Sequence, residues 1–225
     1  IISSDKADEK GFFTELEEKL DLVKDQLLER YEIQCKKNTY NFPFLLEQNV
    51  WIDSEKLKDN DNLKKALKHG VLNIGFSGLA ECLKALTGEH QGESKEAQKF
   101  GIKIVEFMRK KCDEYSEKYN LNFNLVATPK EEISNKFIKM DQAIYGKLKG
   151  ITDKNRYTNS FHIPEGYRIS TEDKIKIEAQ YHSLTNGGHI AIVQIKNGDT
   201  KDVINVIKTM KENGIGYGKI VNMEK

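Results

Sequence analysis

A short apolar run that leads directly into a helix start is the most constraining feature of this sequence. Residues 123–127 read Phe-Asn-Leu-Val-Ala, the length and composition of a buried strand. Thr128 suits a helix N-cap, Pro129 suits the first helical position, and Glu131 completes a capping box. Such a junction directs free backbone N–H groups at one point, which suits a phosphate or carboxylate. Taken alone, the pattern is more often an ordinary capped helix, so both interpretations stay open.

The size and charge of the chain limit the class of protein. We expect its 225 residues to form a single domain, 1–225, with an irregular lead-in at residues 1–10. The 36 lysines and arginines nearly balance the 35 aspartates and glutamates, so bulk charge favours neither nucleic acid nor a membrane as partner. The chain has no long apolar run and no signal-peptide pattern at Ile1, so we expect a cytoplasmic protein.

The cysteines and several histidines show no pattern typical of a metal site. The cysteines are odd in number, widely spaced and without a C-x-x-C motif; they are Cys35, Cys82 and Cys112. We expect them to be reduced, structural thiols of a cytosolic protein rather than disulfides or zinc ligands. We expect structural roles also for three histidines without metal-ligand spacing, which are His69, His90 and His182.

Helices and strands alternate along the chain. Strands are predicted at residues 71–76, 123–127, 189–195 and 217–222. Helices are predicted at 11–37, 63–69, 77–86, 94–119, from 129 on, 170–181 and 199–212. This alternation implies crossover connections and an α/β fold with a mainly parallel sheet and covering helices. About four or five strands are too few to close a barrel, so we expect the chain to be part of a larger structure.

Several short stretches occur in a fixed order. They are Asn73–Glu81, Ala85–Ser94, Ala127–Pro129 with Ser134 and Phe137, Gly150–Asp153, Tyr157–His162, Tyr181–His182, Leu184–Ile190 and Gly214–Gly218. Their combined order and spacing, over residues 12–222, resemble the anaerobic (class III) ribonucleoside-triphosphate reductases, the glycyl-radical enzymes that make deoxynucleotides. The resemblance implies a fold that is about half of a ten-stranded glycyl-radical-type α/β barrel with a finger loop at its centre.

The resemblance also implies the chemistry of the intact enzyme. There, a radical glycine oxidises a finger-loop cysteine, and the thiyl radical takes the ribose 3′-hydrogen while the 2′-hydroxyl leaves as water. The finger-loop cysteine, the zinc-binding cysteine pairs and the radical glycine match no part of this sequence. We therefore expect a fragment with no catalytic residue, metal or cofactor of its own, inactive alone. Its implied partners are a ribonucleoside triphosphate, the remainder of the reductase chain and a radical-SAM activating enzyme.

The family's phosphate cradle corresponds to the junction between the second strand and its helix. The residues there that we predict to bind substrate are Thr128, Pro129, Lys130 and Glu131. The sequence departs from the family's usual Ala-Glu-Gly and Ser-Gly-Arg at four positions, which hold Lys130, Glu132, Asn135 and Lys136. Larger residues in place of glycine narrow the approach of a ligand to the backbone, while Lys130 adds positive charge and Glu132 removes some.

Two further loops are predicted to line the substrate site. A loop rich in Thr, Asn, Ser and His can bind sugar hydroxyls and phosphate oxygens, and a Gly-Gly turn lets the backbone come close to a ligand. The predicted contacts are Asn159, Ser160, His162, Asn186, Gly187, Gly188 and His189. Equally, three of these residues can merely satisfy backbone groups in tight loops: Asn159, His162 and His189.

A function of another class stays open. The chain can be a non-catalytic nucleotide- or anion-binding module, or a paralogue of the reductase that serves assembly. The altered residues after Pro129 favour this alternative.

Overall fold

The computed structural model describes residues 8–48, 50–58, 60–127, 131–196 and 199–223. Its helices are α1 (Glu9–Cys35), α2 (Pro43–Glu47), α3 (Lys64–Leu67), α4 (Leu79–Thr87), α5 (Lys95–Tyr119), α6 (Glu131–Tyr145), α7 (Thr171–His182) and α8 (Thr200–Glu212). Its strands are β1 (Val71–Phe76), β2 (Asn122–Ala127), β3 (Ala191–Lys196) and β4 (Gly218–Met223). None of these helices is long and apolar enough to cross a membrane.

The predicted alternation of helices and strands is confirmed, with ends that differ by a few residues. α1 begins at Glu9 rather than Gly11, because the Asp8 side chain accepts a hydrogen bond from the Gly11 N–H and caps the helix earlier. Of the predicted lead-in, residues 1–7 lie outside the described residues. β3 begins at Ala191 rather than His189, because the turn before it pairs with β2 instead.

The chain divides into two compact units. The smaller unit contains residues 8–74 and 110–124, and the larger contains residues 75–109 and the described residues from 125 on. The chain passes between the units within β1, α5 and β2, so no linker marks a domain boundary. The single domain expected from the sequence therefore stays a prediction.

Polar contacts join α1 to the C-terminal part of α5 in the smaller unit. The Tyr115 hydroxyl donates to the Asp21 carboxylate at 2.8 Å, and Lys111 Nζ lies 2.9 Å from Glu17 Oε1. The buried Lys24 ammonium lies 5.6 Å from the centroid of the Tyr115 ring. Carboxylates and the negative face of an aromatic ring together stabilise this buried cation.

In the larger unit, β3 and β4 form a parallel pair, with Ala191 opposite Gly218 and Lys196 opposite Met223. α8 is the crossover helix between them, and it begins with a capping box of Asp199. Residues from α7, β3, α8 and the segment before β4 form one apolar cluster: Ile175, Ala191, Val193, Val206, Met210 and Ile215. The predicted parallel pairing with covering helices is confirmed for this pair.

β1 and β2 form a second pair of strands. Just beyond β1, Ser77 forms an antiparallel bridge with Asn159, and in β2, Val126 forms a parallel bridge with Gly188. These bridges bring both loops that were predicted to line the substrate site next to the C-terminal ends of β1 and β2.

A stacked aromatic pair is fully buried in the larger unit. The rings of Phe161 and Tyr181 lie 5.2 Å apart at an interplanar angle of 10°. The Tyr181 hydroxyl donates to Gln98 Oε1 at 3.0 Å. A Cβ atom at Gly101 would lie 2.5 Å from that hydroxyl and 3.1 Å from Leu83 Cδ1. Glycine on this face of α5 therefore gives Tyr181 the space it occupies.

We predict that Gly101→Ala destabilises the protein although alanine is the better helix former. The helix preference for alanine is worth about 1 kcal/mol, and overpacking a rigid buried ring costs about 1–3 kcal/mol, so we expect a net loss of about 1 kcal/mol. Urea unfolding measures this change. In a Tyr181→Phe background, which removes the clashing oxygen, the loss should disappear; an equal loss in both backgrounds would contradict the prediction.

Candidate functional site

The first predicted site segment lies between β2 and α6. Three of its residues lie outside the described residues: Thr128, Pro129 and Lys130. Glu131 is the exposed first residue of α6, and its Oε2 accepts a hydrogen bond from Arg156 at 3.1 Å. The same guanidinium also donates to both carboxylate oxygens of Glu165, at 2.9 and 3.1 Å. One cation is therefore shared by two carboxylates beside the start of α6.

The end of β1 is tied both to α6 and to the loop after Tyr157. The Ser77 hydroxyl lies 2.7 Å from the Ser134 hydroxyl of α6 and donates to the Thr158 carbonyl at 3.1 Å. The Gly78 N–H donates to that same carbonyl at 2.7 Å. The C-terminal end of β1, the start of α6 and the predicted site loop therefore converge.

A buried carboxylate holds this loop against α4. Glu81 is 2% exposed, and its Oε1 accepts hydrogen bonds from the Thr158 hydroxyl at 2.6 Å and from Lys154 Nζ at 2.9 Å. Its Oε2 accepts the Thr158 N–H at 3.2 Å. Buried charges are tolerated when they are paired and hydrogen-bonded in this way. Glu81 therefore positions the residues that follow Thr158.

Asn159 and Ser160 come next in the loop. The buried Oδ1 of Asn159 has no hydrogen-bond partner among the described residues. Ser160 is buried at a φ of 42°, and its carbonyl accepts the Leu79 N–H at 3.2 Å. A positive φ is uncommon for serine and persists where surrounding contacts impose it. The backbone here is thus held by protein contacts, whereas the buried Asn159 acceptor is left unpaired by the described residues.

His162 is oriented by a second buried carboxylate. Its Nδ1 lies 3.1 Å from Glu178 Oε2, and Glu178 also accepts hydrogen bonds from the Ile163 N–H and from Lys174 Nζ, both at 2.9 Å. Burial acts to raise the pKa of Glu178, but the hydrogen bond from His162 and the charge of Lys174 outweigh it, so this pKa lies below its usual value. Glu178 is therefore ionised at neutral pH and fixes the His162 ring.

Asn186, Gly187 and Gly188 bind the backbone of β2. Asn186 Oδ1 accepts the Leu125 N–H at 3.1 Å, the Gly187 N–H donates to the Leu125 carbonyl at 2.8 Å, and the Gly188 carbonyl accepts the Ala127 N–H at 2.9 Å. Gly188 has a φ of 125°, which side-chain-bearing residues rarely adopt. These contacts fix the turn to β2, and a ligand role for the three residues stays a prediction.

His189 packs against a second histidine, His182. Their ring centroids lie 3.9 Å apart, and His189 Nδ1 lies 3.1 Å from the Thr185 hydroxyl. His182 is 5% exposed, and neither ring nitrogen has a hydrogen-bond partner among the described residues. Burial, followed by the nearby His189, lowers the pKa of His182 to about 4, against a smaller opposing effect of Glu178. The His182 ring is therefore neutral at pH 7.

A cavity of ≈ 520 Å³ lies among the loop around residues 154–169, α7 and β3. Its volume falls in the range of small-molecule sites, about 300–1,000 Å³. Asn159 and His162 line this cavity, together with the cationic side chains of Lys154, Arg156 and Lys174. Amide, imidazole and cationic groups of this kind bind hydroxyls and anionic oxygens.

Sequence reasoning missed the charged residues of this site: Glu81, Lys154, Arg156, Lys174 and Glu178. Two cations just before the Tyr157 loop were a signal that could have revealed Lys154 and Arg156. The buried carboxylates had no such signal, because a glutamate on an amphipathic helix is usually solvated.

None of the three cysteines takes part in a disulfide bond. Burial raises the pKa of Cys82 to about 11, so this thiol is protonated at neutral pH and is a weak nucleophile. Within the described ranges, no three histidine, cysteine, aspartate or glutamate residues are grouped so that they could hold a metal ion.

We predict that Glu81→Gln loosens the site loop. Loss of the buried charge leaves Lys154 without its partner and weakens both bonds from Thr158, at a cost of about 2–4 kcal/mol. Hydrogen exchange should show faster exchange of the Thr158 and Ser160 amides. Glu172→Gln is the matched control, since Glu172 is solvent-exposed and pairs only along its own helix; equal effects of the two changes would contradict the prediction.

We predict that His182→Phe makes the protein more resistant to acid. The folded-state pKa of His182, about 4, lies below the ordinary value of 6.5, so the unfolded chain takes up this proton first as the pH falls. Wild-type stability should therefore decrease between pH 6.5 and 4, and the variant should gain about 2 kcal/mol over wild type between pH 7 and 4.5. The groups acting on His182 (Glu178, His162, Lys174 and His189) remain in both proteins. Denaturant unfolding at the two pH values measures the gain, and a pH-independent difference would refute it.

A family model of anaerobic ribonucleoside-triphosphate reductases matches residues 1–223 of this chain. The anaerobic ribonucleoside-triphosphate reductase of Salmonella typhimurium is 33% identical over 195 residues, or 85% of this chain and 27% of the Salmonella protein. That of enterobacteria phage T4 is 30% identical over 189 residues, or 83% of this chain and 29% of the phage protein. The chain thus spans less than a third of the length of these relatives.

Solved structures of the anaerobic ribonucleotide reductase from Thermotoga maritima share the fold. The structure with glycerol in the active site matches 96% of this chain and 33% of the reductase, with a TM-score of 0.71 at 18% identity. The structure with citrate in the active site matches 96% and 36%, with a TM-score of 0.73 at 17% identity. This likeness confirms the predicted α/β fold class as one part of a larger reductase fold. Since the family model covers nearly every residue, the chain belongs to the anaerobic ribonucleoside-triphosphate reductase family.

Proposed function

We propose that this chain is part of an anaerobic reductase that converts ribonucleoside triphosphates to deoxyribonucleotides. In that enzyme it supplies barrel wall and contacts to the phosphates and ribose of the substrate. Family membership supports the reaction class. The matched region is only 27–29% of the length of the relatives, so the proposal assigns catalysis to the whole enzyme, and we expect the isolated chain to be inactive.

The observation that carries this proposal is the convergence of polar groups at the C-terminal ends of β1 and β2. Ser77 connects the end of β1 with α6 and with the Thr158 carbonyl, while Gly188 pairs with the end of β2. Ligands of open α/β sheets bind at the carboxyl ends of the strands, where loops from several elements meet. This is therefore the place at which a nucleotide is expected.

Phosphates are assigned to the start of α6. The positive end of the α6 dipole favours an anion there, and Lys130, which follows Thr128 and Pro129 in the sequence, adds positive charge. Glu131 is engaged by Arg156 in the structure, so its contribution is to hold a cation near the phosphates rather than to bind them. Arg156 lines the neighbouring cavity and can serve the same anion.

Ribose hydroxyls are assigned to Asn159 and His162, which both line the cavity. The unpaired Oδ1 of Asn159 can accept a hydrogen bond from a hydroxyl. His162 is held by Glu178, so its ring needs no reorganisation when a ligand binds. Ser160, Asn186, Gly187, Gly188 and His189 complete the proposed lining.

The glycyl radical and structural zinc implied by the family are assigned to the remainder of the reductase. Among the described residues, no group of three histidine, cysteine, aspartate or glutamate side chains fits a zinc ion. We assign radical formation to a radical-SAM activating enzyme that acts on the whole protein. We assign the whole enzyme to the cytoplasm.

A non-catalytic nucleotide- or anion-binding module is the alternative. It is favoured by the altered residues after Pro129, among them Lys130 and Glu132, which stand where the resemblance gives the family smaller residues. A nucleotide-binding module shares nucleotide binding with the reductase segment, whereas an anion-binding module or a paralogue that serves assembly does not require it. The reductase segment and these alternatives differ in whether the chain, joined to the rest of a reductase, supports reduction.

We predict that the 225-residue chain binds ribonucleoside triphosphates without reducing them. Calorimetric titration with all four triphosphates should give heat with at least one of them. Thr128→Ala combined with Lys130→Ala should weaken binding at least tenfold, and Asn159→Leu should weaken it further. Lys208→Ala, which removes an exposed charge on α8, is the control. Absence of heat, or equal loss in the control, would exclude the proposed substrate contacts.

A further inference from the structure

α6 carries an apolar face that is left open by the described residues. The exposed fractions are 44% for Ile133, 50% for Phe137, 52% for Met140 and 67% for Ile144. At 3.6 residues per turn, these four side chains lie within an arc of about 60°. We name this set the α6 stripe; exposed Leu148 continues it beyond the helix end.

The opposite side of α6 is already used for packing in the larger unit. Ile138 is fully buried there, and Asp141 accepts a hydrogen bond from the Tyr157 hydroxyl at 2.6 Å. Gln142 Nε2 donates to the Lys154 carbonyl at 3.0 Å. The α6 stripe is therefore the larger apolar face of this helix, and a contiguous exposed apolar face commonly marks an interaction site.

The surroundings of the stripe are basic. Exposed Lys136 and Lys139 lie along one side of it together with exposed Glu132, and exposed Lys147 and Lys149 follow α6, so lysines outnumber carboxylates here. Two copies of this face would bring these positive charges together, and like charges across an interface are unfavourable. A surface that carries apolar side chains with carboxylates at its rim would match the α6 stripe better than a second copy of this face.

We propose that the α6 stripe is the docking surface for a segment of the reductase polypeptide outside the region that this chain matches. The inference rests on the proposed function. Most of the length of each relative lies outside the matched region, so the polypeptide needed to cover the stripe exists in these proteins. The docking segment presents an apolar ridge that packs on the stripe, with aspartate or glutamate on the side that meets the exposed lysines.

Thiol labelling of Ile144→Cys tests this proposal. The variant is made in the 225-residue chain and in a full-length Salmonella reductase whose matched segment is replaced by residues 1–223 of this chain. A maleimide should label the full-length protein at least tenfold more slowly than the isolated chain. Glu172→Cys on α7, an exposed polar position, is the control and should label at similar rates in both; proteins without the added cysteine correct for the native thiols.

Equal labelling of Ile144→Cys in both proteins would overturn the proposal. Labelling of the isolated chain that slows as its concentration rises would also overturn it, in favour of a second copy as the occupant. As a second measurement, Phe137→Glu with Ile144→Glu should leave the unfolding temperature of the isolated chain unchanged and lower that of the full-length protein. Triphosphate binding by the isolated chain reports on the proposed function separately, so the two failures are distinguishable.

Discussion

The buried Glu81 carboxylate is the contact on which the candidate site most depends. It lies in the first turn of α4 and binds both the backbone and the hydroxyl of Thr158, as well as the Lys154 ammonium. A charge at 2% exposure is stable only while all these partners are present, so it couples the position of α4 to the shape of the loop. The contact of Glu81 with Thr158 and Lys154 therefore positions Asn159 and the residues after it.

Most polar groups of the site have hydrogen-bond partners within the protein, but a few have none among the described residues. Glu178 has three hydrogen-bond donors and holds His162, whereas Asn159 Oδ1 and both ring nitrogens of His182 have no partner among the described residues. Unpaired buried polar atoms are costly, and they commonly mark places where a water, a ligand or another chain segment binds. Their grouping near the carboxyl ends of β1 and β2 is consistent with a site that is completed by other components.

α6 also has a surface without a partner among the described residues. One side of this helix is packed through Ile138 and the bond to Tyr157, and the other side is an exposed apolar stripe. The chain spans less than a third of the length of its relatives, and in the proposed whole enzyme further polypeptide covers this stripe. An exposed stripe of this kind is therefore informative about the whole enzyme as well as about the isolated chain.

The sequence by itself determined the order and type of the main elements, because apolar periodicity, helix caps and glycine stops act over a few residues. It predicted β1 at residues 71–76 and the parallel arrangement around β3 and β4, and its motifs identified the family. The strand leading into α6 and the loops beside it were also found. Their grouping at one end of β1 and β2 was implied by the resemblance alone.

Only the tertiary structure decided which polar residues are buried and what they bind. Glu81 meets Thr158 across 77 positions of sequence, and Gly101 is needed because Tyr181, a distant residue, packs against it. The sequence pattern of an isolated helix does not distinguish a solvated glutamate from a buried one, since the difference lies in which remote segment covers it. For the same reason, the role of the Gly187–Gly188 turn as a partner of β2 became visible only when both segments were placed in space.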